Sequence, residues 1–284
     1  MSAGNDPAAA SRLFDVAGRG YVVTGAASGI GLAISHALAA NEARVLMVDR
    51  DAERLEEAAA RFGGRAVGRV VDVGDADGLK MAVHDFAAAA TPIYGLFANA
   101  GISGGAGFGT ASGASSGQLQ AQDAALWHDV LEVNLLGVLN SMQAVIPAMK
   151  QLRRSSIVVT ASIAGLHAEP FVSYSYAAAK AAVAQLVRMS ALELAAFGIR
   201  VNGIAPGFVR TGIAQGRLHD PDIETQLAGR IPFGRLGEPA EVQGVALLLA
   251  SDASSYVTGA IIPIDGGVLL GSRIDPISET GNHS

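Results

Sequence analysis

The chain has 284 residues, of which 50% are hydrophobic and 16% are charged, and its net charge is −6. A chain of this size can bury about three quarters of its unfolded surface in one core, and its acidity argues against a nucleic-acid partner, which usually binds a basic stripe. The absence of cysteine excludes disulfides and cysteine-ligated zinc. We find no signal-peptide pattern and no apolar run near the ~20 residues that span a bilayer, so we expect a cytoplasmic protein without a membrane partner.

Short β-branched runs alternate with Ala- and Leu-rich segments of helical period. In chain order the predicted strands are GYVVTG, ARVLMVD, RAVGRVVDV, YGLFANAG, SSIVVTAS, IRVNGIAPG and AIIPIDGG. This alternation predicts an α/β fold of the Rossmann type: a doubly wound, mostly parallel sheet of seven strands with helices on both faces. We expect one domain over residues 1–284, with its core at about 14–267.

Two segments do not follow this alternation of predicted strands and helices. Residues 102–117 hold six Gly and four Ser in sixteen positions, so we expect residues 102–122 to form a mobile insertion, too poor in apolar side chains to pack. The tail, residues 268–284, begins apolar and ends polar, and we expect its end to be disordered.

The stretch TGAASGIG, residues 24–31, joins the first predicted strand to the first long helix. Glycine costs conformational entropy, so Gly25, Gly29 and Gly31 imply a tight turn or a close backbone approach. In open α/β sheets, ligands bind beyond the carboxyl ends of the strands, and backbone N–H groups at a helix N-terminus can bind a pyrophosphate. A merely tight turn is the alternative.

Three further strand ends favour a dinucleotide. Asp49 ends the second strand, 24 positions after Gly25, where dinucleotide-binding folds place an acid on the adenosine ribose. Asp72 closes the third strand, within reach of an adenine, and NAG at residues 99–101 ends the fourth. A solvated surface residue is the alternative for Asp49.

The segment YSYAAAK places Tyr176 and Lys180 four residues apart, on one helix face. A phenol has a pKa of about 10, and a nearby ammonium lowers it, so the pair can exchange protons near neutrality. Ser162 ends the fifth strand and offers a hydroxyl to a substrate oxygen. A chance pair on the helix surface is the alternative. Tyr174 is not the expected tyrosine, because Ala178 rather than Lys lies four positions after it.

Over about residues 14–267 the chain resembles the short-chain dehydrogenase/reductase family. The motifs that carry the resemblance occur in the family's order: TGAASGIG, VD, DV, NAG, VNLLG, Ser before IAG, YAAAK, IAPG followed by Thr211, and DGG. It departs from the family in Ala98, in a Ser162–Tyr176 spacing one residue longer than usual, and in the long insertion. Three interpretations of this insertion stay open: a wall of the substrate pocket, a subunit contact and a passive loop.

The resemblance implies a role for each chemical residue. Tyr176 is the general acid/base, Ser162 orients the substrate oxygen, and Lys180 binds the nicotinamide ribose and lowers the pKa of Tyr176. Asn134 holds a water that links Lys180 to solvent, or satisfies backbone groups, or does both. No metal is expected, because the histidines lack metal-ligand spacing.

The resemblance also implies the binding residues. The segment from Phe208 to about Pro232 is expected to be a substrate lid, while His167 and Glu169 are more readily explained as surface loop residues. Implied cofactor contacts are Gly25, Ser28, Gly29, Ile30, Gly31, Asp49, Asp72, Val73, Asn99, Ala100, Gly101, Tyr176, Lys180, Pro206, Gly207, Val209 and Thr211. Implied substrate contacts are Ser162, Ala164, His167, Tyr176 and Phe208.

The expected cofactor is NAD. Asp49 accepts hydrogen bonds from the ribose hydroxyls of NAD, whereas the phosphate of NADP would lie against its charge, at a cost of about 4 kcal/mol at 4 Å and a dielectric of 20. Ser28 stands where NADP-preferring relatives often carry a basic residue. The positive charge of Arg50 favours NADP instead, because it would offset part of the repulsion between Asp49 and the phosphate.

The expected activity is that of an NAD-dependent short-chain alcohol dehydrogenase/reductase, which interconverts a secondary alcohol and a ketone as a homotetramer. Three alternatives stay open: an NADP-dependent 3-oxoacyl or other carbonyl reductase, a sugar or polyol dehydrogenase, and a catalytically silent NAD-binding protein. The intact set of Asn134, Ser162, Tyr176 and Lys180 counts against the last.

Overall fold

The computed structural model describes residues 10–89, 91–214 and 221–273. In this part of the chain, strands β1 to β7 are Gly20–Thr24, Arg44–Asp49, Ala66–Val70, Ile93–Ala98, Ser155–Thr160, Ile199–Pro206 and Ile261–Ile264. Helices α1 to α9 are Ala10–Leu13, Gly29–Ala40, Ala52–Ala60, Ala76–Ala88, Ala124–Leu131, Gly137–Leu152, Tyr174–Leu194, Pro221–Ala228 and Gln243–Ala250.

The seven strands form one sheet in the order β3-β2-β1-β4-β5-β6-β7, and every neighbouring pair is parallel. The predicted doubly wound α/β fold is confirmed. After β3 the chain returns to the middle of the sheet and pairs β4 with β1, so the strand order reverses at that pair. In open α/β sheets this reversal opens the ligand crevice at the carboxyl ends of the strands.

The sheet is covered on both faces, which is why its strands read as continuous apolar runs. Val22 and Leu96 belong to a core cluster shared with α4, α6 and α7. Tyr21, Val23 and Phe97 belong to the cluster on the opposite face, shared with α2 and α9. Adjacent residues of one strand therefore serve two separate cores, and the carboxyl ends of the strands are held rigidly between them.

The helices α5 and α6 are continuous through a π-helical turn, Glu132–Leu136. The resulting helix, Ala124–Leu152, is long and apolar enough to cross a membrane by length and composition, which our search for apolar runs missed. Part of its apolar surface packs in the core, because Val138, Met142, Val145 and Met149 are buried against the sheet, and Leu126 and Leu136 are among its exposed apolar residues.

The Gly/Ser-rich insertion packs, so the expectation that it is too poor in apolar residues to do so is wrong. Ala106 forms an antiparallel bridge with Val172, and the Gly109 N–H donates to the Pro170 carbonyl at 2.8 Å. A Cβ on Gly107 would lie 2.2 Å from the Pro170 oxygen. The contact is made by backbone against backbone, which glycine permits and which a count of apolar side chains does not register. The expected mobility of residues 102–122 stays a prediction.

The end of the predicted tail and the middle of the predicted lid lie outside the described residues, at 274–284 and 215–220. The described start of the tail forms a short 3-10 turn, Val268–Leu270, directly after β7 and the DGG motif.

Candidate active site

The glycine-rich turn between β1 and α2 needs its glycines for two different reasons. Gly25 and Gly29 have φ angles of +64° and +53°, in the left-handed region that side chains disfavour. Gly31 lies inside α2, where a Cβ would be 2.1 Å from the Gly25 carbonyl oxygen and 2.6 Å from Asn99 Nδ2. The turn is therefore both tight and closely packed beneath the N-terminus of α2.

This packing predicts opposite outcomes for the same substitution in two helices. Gly31→Ala should lower the free energy of unfolding by about 1–3 kcal/mol, because the methyl group meets backbone. Gly244→Ala, at an exposed position near the start of α9 with open space around it, should raise it by about 0.5–1 kcal/mol through helix propensity. Urea denaturation of the two variants checks both signs, and equal effects would contradict the close packing.

Asp49 lies at the end of β2 and faces the glycine-rich turn. Its Oδ2 accepts a hydrogen bond from the Ala27 N–H at 3.0 Å and its Oδ1 accepts one from the Asp51 N–H at 3.1 Å. The side chain of Arg50 is 66% exposed, and its guanidinium lies 3.9 Å from Asp72 Oδ2. The carboxylate of Asp49 is thus positioned by backbone donors, while Arg50 faces the neighbouring strand end.

The NAG motif joins three strand ends. The Asn99 side chain donates to the carbonyls of Thr24 and Gly25 and accepts a hydrogen bond from Thr160 Oγ1. The backbone N–H groups of Asn99 and Ala100 both donate to Thr24 Oγ1. The side chain of Asn99 and these two N–H groups are therefore committed to fixing the crevice, so a direct cofactor contact of Asn99 would come from its backbone carbonyl.

Ser162, Tyr176 and Lys180 meet on the wall of the crevice beyond β5. Ser162 follows β5 and its Oγ accepts the Ala164 N–H at 3.2 Å. Helix α7 begins with Ser173 as its N-cap, with its Oγ accepting the Tyr176 N–H at 3.2 Å. Lys180 lies one turn further, and its Nζ donates to the Thr160 carbonyl at 2.6 Å and lies 5.7 Å from the centre of the Tyr176 ring.

Burial sets the protonation of this group. It lowers the pKa of the Lys180 ammonium to about 8 and raises the pKa of the Tyr176 phenol, against the opposite effect of the Ser162 hydroxyl. Burial disfavours both charged forms, and Lys180, whose Nζ donates to the Thr160 carbonyl, is not among the groups that shift the pKa of Tyr176. The lowering of the Tyr176 pKa by Lys180 stays a prediction.

The lowered pKa of Lys180 predicts a pH dependence of stability. Below pH 8 the lysine is charged in both the folded and the unfolded chain, and between pH 8 and about 10.4 only the unfolded chain keeps the proton. The free energy of unfolding of the wild type, relative to Lys180→Met, should therefore be constant below pH 8 and rise from pH 8 to 10. Urea titrations across this range measure it, with Lys80→Met, at an exposed site on α4, as the control. A flat difference would show that burial does not perturb Lys180.

Asn134 lies in the π-helical turn and is fully buried. Its Nδ2 donates to the Ile102 carbonyl and its Oδ1 accepts the Ile102 N–H, both at 2.8 Å. The side chain thus satisfies the backbone where the insertion begins, as one of the two interpretations expects. The water relay from Lys180 stays a prediction. Because π-turns often mark functional sites, the placement of this asparagine is consistent with either role.

One cavity of about 700 Å³ runs along the carboxyl ends of the strands. Among the predicted site residues, Gly31, Asn134 and His167 do not line it. The predicted residues that line it are Gly25, Ser28, Gly29, Ile30, Asp49, Asp72, Val73, Asn99, Ala100, Gly101, Ser162, Ala164, Tyr176, Lys180, Pro206, Gly207, Phe208, Val209 and Thr211. Tyr174 is not among the lining residues; its ring stacks on Phe108 at 5.7 Å.

The cavity wall also contains residues of the loop before α7, the insertion and α8. Glu169 and Phe171 line it, as expected of residues that shape the pocket, but Glu169 is buried and is not the surface loop residue that was the simpler explanation. Thr110 and Ser112 bring the insertion to the wall, which agrees with the first of its three interpretations. Leu227 of α8, within the predicted lid segment, lines the cavity as well.

Comparisons with known proteins agree with this geometry. A family model described as enoyl-(acyl carrier protein) reductase matches residues 25–269. The chain is 38% identical to galactitol 2-dehydrogenase (L-tagatose-forming) of Cereibacter sphaeroides, over 90% of this chain and 96% of that one. It is 39% identical to the 3-oxoacyl-[acyl-carrier-protein] reductase of Thermotoga maritima, over 89% and 98%.

A solved structure shares the architecture. The gluconate 5-dehydrogenase of Burkholderia cenocepacia, in complex with NADP and tartrate, superposes with a TM-score of 0.83 at 33% identity and covers 92% of this chain and 99% of that one. The family model matches most of the chain. The two relatives, both above 30% identity, are aligned over almost their whole length. The chain belongs to the short-chain dehydrogenase/reductase family.

Proposed function

We propose that this protein is an NAD-dependent oxidoreductase that interconverts a secondary alcohol and a ketone. The observation that carries the proposal is that one cavity holds two sets of residues. The glycine-rich turn and Asp49 lie on its wall where β1 and β2 end, and Ser162, Tyr176 and Lys180 lie on its wall beyond β5. The first set suits a dinucleotide and the second suits proton transfer at an alcohol or carbonyl oxygen.

The residues present fit a nicotinamide dinucleotide. The turn before α2 presents backbone close to the helix N-terminus, where a pyrophosphate is favoured, and the Asp49 carboxylate is the acceptor for ribose hydroxyls. Tyr176 and Lys180 would hold the nicotinamide ribose. When bound, the nicotinamide ring accepts the hydride from the alcohol carbon or returns it to the carbonyl carbon.

The chain's own side chains handle the oxygen and its proton. The Ser162 hydroxyl donates a hydrogen bond to the substrate oxygen and fixes its position beside Tyr176. In oxidation, the O–H proton of the alcohol would pass to the Tyr176 phenolate, and a bound dinucleotide would take up the hydride, so that the alcohol becomes a ketone. The Lys180 ammonium one turn below Tyr176 stabilises the phenolate, and Asn134 would link this proton to solvent.

The preference for NAD rests on charge. Asp49 is held at the β2 end by two backbone donors, and a ribose phosphate would have to approach its carboxylate. The guanidinium of Arg50 lies beside Asp72, which leaves Asp49 uncompensated by that side chain. The Burkholderia structure contains NADP, so the choice of cofactor is a property to be measured on this chain.

Two assignments accompany this proposal: a cytoplasmic location and a homotetramer. The apolar side chains of Met189 and Leu192 on α7 are 58% and 77% exposed, which supports a subunit contact along that helix.

The second candidate is an NADP-dependent 3-oxoacyl reductase, favoured by the similarity to the Thermotoga enzyme. A single plate assay separates the two by following the near-ultraviolet absorbance of reduced nicotinamide. Secondary alcohols, polyols and hydroxy acids are tested with NAD and with NADP, and 3-oxoacyl thioesters with the reduced forms. Reduction of NAD by one class of alcohol supports the proposal. Turnover confined to NADPH and thioesters favours the second candidate, and no turnover with any pair favours a silent binding protein.

A further inference from the structure

Helix α8 supplies apolar side chains to the cavity, and a small apolar cluster packs around it. Ile223 and Leu227 lie one turn apart on α8, and both line the cavity. The buried members of the cluster are Leu227, Ile231 and Leu236. A helix of eight residues is marginal by itself in water, so the position of α8 depends on its tertiary contacts.

Arg210 joins α8 to the segment that follows β6. Its Nη2 donates to Oε1 of Glu224 on α8, and its Nη1 donates to Oε1 of Glu238, in the loop before α9. The side chains of Arg210 and Glu224 are 27% and 34% exposed, so solvent screens this pair less than it screens a fully exposed one. One guanidinium therefore bridges two carboxylates that belong to separate elements.

The backbone of Arg210 is fixed independently of its side chain. Its N–H donates to the Gly237 carbonyl at 2.9 Å, and the Gly237 N–H donates to the Phe208 carbonyl at 2.9 Å. The sequence neighbours Val209 and Thr211 line the cavity, whereas Arg210 does not. The guanidinium thus reaches α8 from a segment that is itself held at the cavity wall.

A second ion pair, after the end of α8, has a looser geometry. Arg230 stacks over the Phe171 ring at 4.5 Å, and its Nη2 lies 3.9 Å from Glu169 Oε1, beyond hydrogen-bond reach. The other oxygen of this carboxylate, Oε2, is buried and has no hydrogen-bond partner among the described residues. Of the two ion pairs, the one between Arg210 and Glu224 is hydrogen-bonded and fixes α8 more closely.

We propose that Arg210 is a positioning residue, whose ion pair with Glu224 holds α8 so that Ile223 and Leu227 bind the apolar part of the alcohol. The inference rests on the proposed function, since it concerns the binding of that alcohol. Arg210 acts through α8 and takes no part in hydride or proton transfer. Loss of the ion pair weakens binding of the alcohol in the ground state and the transition state alike, so KM rises while kcat is nearly unchanged.

The test removes the two carboxylate partners of Arg210 one at a time. Glu224→Gln should raise KM for octan-2-ol by about two- to fivefold, the range expected of a partly exposed ion pair, and Glu224→Lys, which places a cation against Arg210, by about tenfold or more. Propan-2-ol has little apolar surface to offer to α8, so its KM should change less in both variants. The matched control is Glu238→Gln, which removes the other carboxylate from the same guanidinium and should leave KM for both alcohols unchanged.

A double variant shows whether the effect passes through the ion pair. Arg210→Met should raise KM for octan-2-ol at least as much as Glu224→Gln does. If the two side chains act through each other, the double variant Arg210→Met/Glu224→Gln should be no worse than Arg210→Met alone. Fold-changes that multiply would overturn the inference, because the two side chains would then act independently.

Hydrogen exchange gives a readout that does not depend on turnover. In the protein without ligands, the backbone amides of residues 224–228 should exchange about two- to fivefold faster in Glu224→Gln than in the wild type. The same amides in Glu238→Gln, and those of β6 in both variants, should exchange at the wild-type rate.

The outcomes separate this inference from the proposed function. Unchanged exchange of α8 in Glu224→Gln, or equal effects of Glu224→Gln and Glu238→Gln on exchange and on KM, overturns the positioning role of Arg210 while the dehydrogenase activity stands. Wild type that oxidises no secondary alcohol with NAD or NADP counts against the proposed function itself, and hydrogen exchange then decides the positioning role separately.

Discussion

Tyr176→Phe is expected to lower kcat for alcohol oxidation by about 10²–10⁴-fold, because it removes the phenol that the proposed mechanism uses to take the substrate proton. The substitution keeps the ring and its packing, so the Kd for the dinucleotide should change by less than about threefold. Steady-state kinetics and fluorescence titration of the reduced cofactor measure the two quantities on the same preparation.

A neighbouring tyrosine supplies the control. Tyr174 also lies at the start of α7, but it stacks on Phe108 and does not line the cavity. Tyr174→Phe should therefore retain kcat within about twofold. If both variants kept normal turnover, the assignment of the general acid/base to α7 would be wrong. If both lost it equally, the loss would reflect damage to the helix start.

Asp49→Asn is expected to shift the ratio of kcat/KM for NAD over NADP toward NADP by about 10²–10³-fold. Two unit charges 4 Å apart at a dielectric of 20 repel by about 4 kcal/mol, which is nearly a thousandfold in affinity. Asparagine keeps an oxygen for the Ala27 N–H that the carboxylate accepts in the structure. Asp49→Ala should narrow the same gap with a larger loss for both cofactors, because the turn loses its acceptor.

The matched control is Asp51→Asn, two residues along the same loop. Asp51 caps α3 by accepting the Arg54 N–H, and asparagine caps a helix as well as aspartate. The variant removes one charge near the β2 end of the cavity without changing the glycine-rich turn. It should change the ratio of kcat/KM for NAD over NADP by no more than a few fold. An unchanged ratio in Asp49→Asn would refute the assignment of Asp49 as the discriminating residue.

The local pattern of the chain predicted the fold and the turn at the crevice. Alternation of β-branched runs with helical segments is a property of near neighbours, and it leads to a parallel doubly wound sheet because few other arrangements bury both strand faces. The positions of Gly25 and Gly29 likewise predict the backbone conformation of the turn, because glycine adopts angles there that other residues disfavour. The resemblance to a family then supplied candidate roles for Ser162, Tyr176 and Lys180.

Three features depended on residues far apart in the chain. Glu169 reads as a surface residue because carboxylates are seldom buried, and its place on the wall is set by Phe171, Phe208 and Arg230, the last of them 61 positions away. The insertion packs through glycine backbone against Pro170. The pKa directions of Tyr176 and Lys180 follow from their burial beside the carboxyl end of β5.

The sequence by itself therefore determined the architecture and the crevice, because periodicity and glycine placement act over short stretches of chain, and its motifs supplied the candidate site residues. Only the tertiary structure decided which polar atoms are buried and which of them remain without a partner. The desolvation of a polar atom and its hydrogen bonds depend on all the groups packed around it. Many of those groups are distant in sequence, so no local pattern predicts them.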